Sequence, residues 1–145
     1  MSAPVDIPDV NVWLALTDDR HVHHQAARQY WNEQRANEIA FCRVTMLAIL
    51  RLVTNAQVMS GHPFTNDEAW DIYRTYRNLT IIRFLPEANA LETTFATLTT
   101  DSALPHRLWT DAYLAAFAIS TANRLVSFDT DFQRFPGLDL LLLKP

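Results

Sequence analysis

The chain has 145 residues, 49% of them hydrophobic, with a formal net charge of −4 and a pI near 5.6. That length carries a sizeable core and predicts one domain over residues 1–145, while the acidic balance excludes a protein that coats nucleic acid nonspecifically and leaves room for a nuclease with an acidic centre. The lone Cys42 excludes an internal disulfide and suits a reducing cytoplasm, the opening Met1-Ser2-Ala3-Pro4 lacks the basic and apolar regions of a secretory signal, and no apolar run is long enough to span a bilayer.

Apolar runs and helical patterns alternate along the chain. Residues 5–7 predict a first strand that Pro8 should end, followed by a brief helix over 11–16 and, after Thr17-Asp18-Asp19, a helix over 22–35. A second strand is expected over 38–42. The helix over 44–55 is apolar almost all round, which predicts a central, buried element. Thr65-Asn66-Asp67-Glu68 has capping-box spacing and opens a helix to about residue 78. A third strand over 80–85 ends at Pro86; helices over 88–99 and 107–123 follow, separated by a loop over 102–105. The chain closes with a fourth strand over 124–128, a helical turn, and an apolar run over 138–143. Near-continuous apolar strands between helices predict an α/β fold, a three-layer α/β/α sandwich around a mainly parallel sheet. Right-handed crossovers then set the strand carboxyl ends on one rim, where ligand sites of such folds lie.

Three segments place a carboxylate where an apolar element begins or ends: Ile7-Pro8-Asp9-Val10-Asn11, Trp109-Thr110-Asp111-Ala112-Tyr113 and Val126-Ser127-Phe128-Asp129-Thr130-Asp131. Carboxylates near a core are costly unless paired, hydrogen-bonded or bound to a cation, and several together repel. Asp111 shares a helical stripe with Leu114, Ala115, Ala118, Ile119 and Ala122, so it heads the face that packs inward. Each acid also has a plainer reading. Asp111 would complement the helix dipole behind a Thr110 cap, Asp9 and Asp129 would cap the elements that follow them, and Asp131 would be a solvated turn residue, the alternative being that it reaches the site through water.

The segments DVNVWLAL, FCRVTMLAILRLVTN, LWTDAYLAAFA and RLVSFDTDF, in this order, resemble the PIN domain and, within it, the VapC ribonuclease toxins. The resemblance implies a magnesium-dependent endoribonuclease, with Mn²⁺ as an alternative ion, acting on RNA as a homodimer and neutralised by a cognate antitoxin protein. Position by position it makes Asp9, Asp111 and Asp129 metal-binding and catalytic, with Asn11 as the polar residue two places after the first acid. The family's second acid falls at Met46, and a thioether does not replace a carboxylate toward Mg²⁺. A single ion held by Asp9 and Asp111, with Asp129 directly or through water, is then expected. The alternative is a catalytically weak PIN-like protein that acts by binding RNA or a partner.

Further residues extend the expected site. Arg51 lies in an apolar helical run and there requires an anion, either a site carboxylate or a substrate phosphate. Thr45 caps the same helix or hydrogen-bonds the attacking water. His21, His23 and His24 follow Asp18-Asp19 at a helix start and read as solvated or capping residues rather than a transition-metal cluster, and Cys42 reads as core. Trp70, Tyr73, Arg74 and Arg77 share one helical face, which either packs against protein or meets RNA.

Overall fold

The computed structural model describes residues 4–100 and 103–145, so the start of the expected 102–105 loop and the first three residues lie outside it. Strands β1 (Val5–Pro8), β2 (Glu38–Phe41), β3 (Ile82–Phe84), β4 (Arg124–Ser127) and β5 (Leu140–Leu142) form one sheet in the order β3-β2-β1-β4-β5. Every neighbouring pair is parallel. Each strand is too short and apolar to stand alone, so both faces must be covered. On one side Val5, Ile7, Ala40 and Leu125 pack against α5 (Leu91–Thr99) and α6 (Trp109–Thr121). On the other, Ile39 and Phe41 pack with residues of α1 (Val10–Thr17), α3 (Arg43–Val53) and α4 (Asn66–Arg77). The period-2 alternation of the strands thus gives the expected three layers.

From β1 the sheet grows outward through β2 and β3, and the chain then returns to the other side of β1 to add β4 and β5. The direction of growth reverses between β1 and β4, and the crevice outside the carboxyl ends of these two strands is where ligands of open α/β sheets bind. Asp9 follows β1 and Asp129 lies two residues after β4.

The opposite ends of the same two strands are locked by a buried charge. Asp6, fully buried in β1, accepts from Tyr30 Oη at 2.6 Å, from Ala36 N at 2.9 Å and from Arg124 Nε and Nη2 at 2.8 and 3.0 Å. The helix expected over 22–35 is broken accordingly: α2 (His24–Gln29) widens into a π-helical turn at Tyr30–Gln34, where the buried phenol reaches Asp6. Pro8 is the last residue of β1 rather than the first beyond it, and bonding to β4 continues past it from Asp9 N–H to Val126 O at 2.8 Å.

Helix α3 is not central. Leu47 is 53% exposed, and Arg43 and Arg51 are exposed, while Thr45, Ile49 and Val53 make the buried stripe. An apolar face all round does not require burial all round, since a helix at the edge of its layer still exposes a side. No described helix is long and apolar enough to cross a membrane.

Candidate active site

Chain geometry at the β1/β4 crevice starts with Ser127, the last residue of β4, which is fully buried. Its Oγ donates to Asp9 Oδ2 at 3.0 Å and accepts from Asp129 N at 2.9 Å and from Asn11 Nδ2 at 3.2 Å. One hydroxyl therefore ties the carboxyl end of β1, the first turn of α1 and the turn after β4 together. Asn11 completes the tie by accepting from Phe128 N at 3.4 Å. The other oxygen of Asp9 accepts from Val10 N at 2.7 Å, so Asp9 is at once the cap of α1 and a rim carboxylate. Asp129 doubles in the same way: it caps the 3₁₀ turn Thr130–Arg134 through Asp131 N at 2.8 Å. Capping and site readings are not exclusive here, because a helix start at a strand's carboxyl end presents its free N–H groups on the same rim.

Asp111 enters from α6, in its first turn. The helix is preceded by a 3₁₀ turn, His106–Leu108, and its cap position is Leu108, so Thr110 lies inside the helix instead of capping it. Oxygens of Asp111, Asp129 and Asp131 all lie within 4.8 Å of one another. Asp131 is therefore a direct member of the carboxylate group, and Asp9 is coupled to that group through its charge. Arg107 Nη1 donates to Asp131 Oδ2 at 3.0 Å and partly offsets the negative charge from the solvent side.

The electrostatics record the crowding. Burial, then the charges of Asp9, Asp129 and Asp131, push Asp111 up to about 6 against the pull of Arg107. Asp9 is raised too, mainly by burial and lastly by Asp129, while its bonds from Val10 N–H and Ser127 act in the opposite direction. A group of carboxylate oxygens without thiolate or imidazole, mutually repelling and open at a rim, fits a hard divalent cation of the Mg²⁺ or Mn²⁺ type.

Two expected members, Thr45 and Arg51, stand apart from this group, as does Met46 at the position of the family's second acid. Thr45 is buried and its Oγ1 accepts from Cys42 N at 3.0 Å and donates to Cys42 O at 3.1 Å, so it caps α3 and its hydroxyl is spent on the backbone. Arg51 is exposed and has no ion pair among the described residues, which corrects the expectation of a buried guanidinium paired with a site carboxylate; the exposed face of α3 removes the need for one. Met46 is partly buried against the Trp13 and Phe41 cluster, and its sulfur faces Arg43 Nη1 at 3.3 Å.

Among the histidines, His23 stacks on Phe128 at 4.7 Å and His24 Nδ1 lies 2.7 Å from Ala15 O, roles in packing and not in a metal cluster. Burial raises the Cys42 thiol, which leaves it a poor nucleophile. Ser127 and Arg107 are the members that sequence reasoning missed. A hydroxyl two residues before Asp129, at a strand end, is the local signature of a side chain that bonds the backbone two residues on, and it identifies Ser127 in retrospect.

A PIN domain family model matches residues 7–138. The chain is 38% identical over 140 residues to Ribonuclease VapC41 of Mycobacterium tuberculosis, covering 93% of this chain and 96% of that protein. Among solved structures, VapBC2 from Rickettsia felis, bound to a DNA fragment from its promoter, superposes with a TM-score of 0.65 at 15% identity over 97% of this chain and 99% of that one. Mycobacterium tuberculosis VapC20, described as a Sarcin-Ricin loop cleaving toxin, gives a TM-score of 0.65 at 16% identity over 92% and 98% of the two chains.

Proposed function

The chain belongs to the PIN-domain family and is a relative of the VapC ribonucleases, and on that premise we propose that it is a divalent-metal-dependent endoribonuclease, the toxin of a toxin–antitoxin pair. The carrying observation is the group of Asp111, Asp129 and Asp131, with oxygens within 4.8 Å of one another at the point where the sheet reverses.

Asp111, Asp129 and Asp131 hold the ion in this reading, and Asp9 adds a fourth carboxylate whose direction Ser127 and Val10 N–H fix. When bound, Mg²⁺ or Mn²⁺ supplies Lewis-acid polarisation of the phosphate and lowers the pKa of water. The chain's own part is positioning and proton transfer. Asp129 Oδ1 is engaged by Asp131 N–H, so Asp129 is fixed in place to orient a water for in-line attack and accept its proton. Asn11 holds α1 against the end of β4 and keeps Asp9 facing the same crevice. The substrate is RNA, the protein partner is an antitoxin, and the chain acts from the cytoplasm as a homodimer and a single domain.

Cleavage of RNA by the purified protein, measured in Mn²⁺, in Mg²⁺ and in EDTA, tests the assignment. Asp111→Asn and Asp129→Asn are expected to abolish metal-dependent cleavage while preserving the circular dichroism spectrum. Full activity in both variants refutes it. Met46 favours a second reading, in which the protein binds RNA or its partner with little turnover, because the family's second acid is replaced by a thioether that faces an arginine. RNA binding without metal-dependent cleavage distinguishes that outcome.

A further inference from the structure

The rim that carries the carboxylates also carries cations that have no carboxylate partner among the described residues. Arg43, the first residue of α3, places its guanidinium 4.4 Å from the centroid of Phe84, and Arg77 of α4 lies 5.3 Å from the same ring. Arg77 also sits 5.8 Å from the Tyr73 ring and donates to its hydroxyl at 2.9 Å, while Arg74 lies 5.3 Å from Trp70. All three arginines are exposed, and none has an ion pair among the described residues. Elsewhere arginines such as Arg107 and Arg124 are paired with carboxylates. Two like charges sharing one ring in an acidic protein are an unfavourable arrangement unless an anion joins them. Arg43 and Arg77 each spend one nitrogen on a neutral partner, Met46 Sδ at 3.3 Å and Tyr73 Oη at 2.9 Å, and near the ring that helps orient them each keeps its remaining N–H groups for an incoming oxyanion.

Position along the sheet argues for a nucleic-acid anion. Phe84 ends β3 and pairs in register with Phe41 at the end of β2, and β2 is the neighbour of β1. Continuing the Asp6–Ile39 register by three residues sets Asp9 level with Cys42, next to Arg43. The Phe84 ring that Arg43 and Arg77 share thus lies two strands along the rim from β1, roughly 10 Å at the usual strand spacing. Trp70, 40% exposed and meeting Tyr73 edge-on at 6.1 Å, offers an aromatic face beside Arg74. Cations interleaved with aromatic faces are what sequence-tolerant single-strand binding uses. An acidic peptide would be served by the cations alone and would leave the Trp70 face without a role.

We propose that Arg43, Arg77 and Arg74 form a phosphate track for single-stranded RNA leading away from the acidic crevice, with Trp70 stacking on a base. The proposal rests on the ribonuclease reading for its substrate class and on the arginine geometry for its location.

Fluorescence anisotropy of a short labelled single-stranded RNA of mixed sequence, titrated with protein in EDTA over a range of salt, tests it without cleavage. Arg43→Gln/Arg77→Gln is expected to weaken binding by about tenfold per arginine and to lower the slope of log K against log salt by about 1.4, since each phosphate contact to a single strand contributes about 0.7. The paired Arg→Lys replacement retains the slope, Trp70→Ala weakens binding at an unchanged slope, and Arg35→Gln, a charge change beside Arg124 at the opposite end of the sheet, leaves the slope as it was. A wild-type slope in the Arg43→Gln/Arg77→Gln protein overturns the track. So does a loss confined to binding of an acidic protein partner. Failure of the ribonuclease reading is separate: RNA binding in EDTA that depends on these arginines, with no cleavage in any metal, keeps the track and removes the nuclease.

Discussion

Replacing Ser127 by alanine removes one atom that three elements share. Oγ makes three hydrogen bonds, one to the Asp9 carboxylate at 3.0 Å and two from the Asp129 amide and the Asn11 side chain at 2.9 and 3.2 Å. A bond to a charged group contributes about 1.5–3 kcal/mol and a neutral one about 0.5–1.5. The partners stand at an open rim where water replaces part of the loss, so the expected net cost is about 2–3 kcal/mol, a fall in Tm of roughly 5–10 °C at this chain length. The consequence for the site is larger than for the fold. Asp9 loses a donor that opposes its raised pKa, and its carboxylate loses its orientation. Residues that orient a metal ligand typically change metal affinity or activity by about 10–100-fold. Calorimetric titration of Mn²⁺ into Ser127→Ala at a temperature where it is fully folded, alongside RNA cleavage across a Mn²⁺ series, measures both. Cleavage is expected to recover partly at high Mn²⁺, because a weakened site is filled by mass action. Wild-type Mn²⁺ affinity in the folded variant would show that Asp9 needs no help from Ser127 and would refute the positioning argument.

The remaining predictions address charge, core and backbone. Asp111 has a folded pKa of about 6 against the ordinary 3.8; the folded state therefore holds its proton more tightly, and this contribution to stability is complete below about 4 and lost as pH rises through about 6. In EDTA, Asp111→Asn should melt above the wild type at pH 7 and level with it near pH 4, by differential scanning fluorimetry; a variant less stable than the wild type at pH 7 contradicts the repulsion. Mn²⁺ should raise the Tm of the wild type at pH 7 and raise that of Asp111→Asn much less. Asp6→Ala strands Arg124 and Tyr30 at the closed end of the sheet, and breaking such a pair costs about 3–5 kcal/mol, measurable as a lower urea midpoint with unchanged Mn²⁺ affinity of the folded protein. Ala122 ends α6 in the left-handed region at φ 56°, where glycine has no steric penalty; Ala122→Gly should gain about 0.5–1 kcal/mol in the same denaturation assay.

The layered architecture could be approached from sequence because the apolar runs are short and separated by helices, whereas the strand order β3-β2-β1-β4-β5 is a property of the fold alone. The boundaries that shifted did so for tertiary reasons. The 22–35 helix widens at Tyr30 because a buried carboxylate on another element, Asp6, takes its hydroxyl, and no local pattern announces that partner. Asp6 itself sits in what reads as an apolar strand, and its charge is acceptable only because Arg124 is the next strand's register partner. Arg51 went the other way: its apolar neighbours imply burial, yet hydrophobic content does not say which side of a helix faces solvent at the edge of a layer. Asp9 and Asp111 stand out as candidates because a strand end and an inward helical stripe are local signals, and Asp129 stands out mainly through the resemblance. The direct place of Asp131 beside Asp111, and the reach of Ser127 to Asp9, depend instead on elements distant in sequence packing together.

The acids of the crevice differ in how they bear their charge, and that difference says which of them a cation changes most. Asp9 holds Val10 N–H and Ser127 Oγ, and Asp129 holds Asp131 N–H, so each has donors from the chain itself. Asp131 has Arg107. Asp111 has no hydrogen bond among the described residues, and its burial, followed by the charges of the other three, holds its proton up to about 6. Without metal, the crevice keeps its shape through caps and Ser127, and one proton on Asp111 relieves the repulsion. A divalent cation displaces that proton, so metal binding near pH 6 should release a proton fraction that vanishes by pH 8 and in Asp111→Asn. Calorimetry in two buffers of different ionisation enthalpy reads this fraction directly, and equal heats in both at pH 6 would place the proton somewhere other than Asp111.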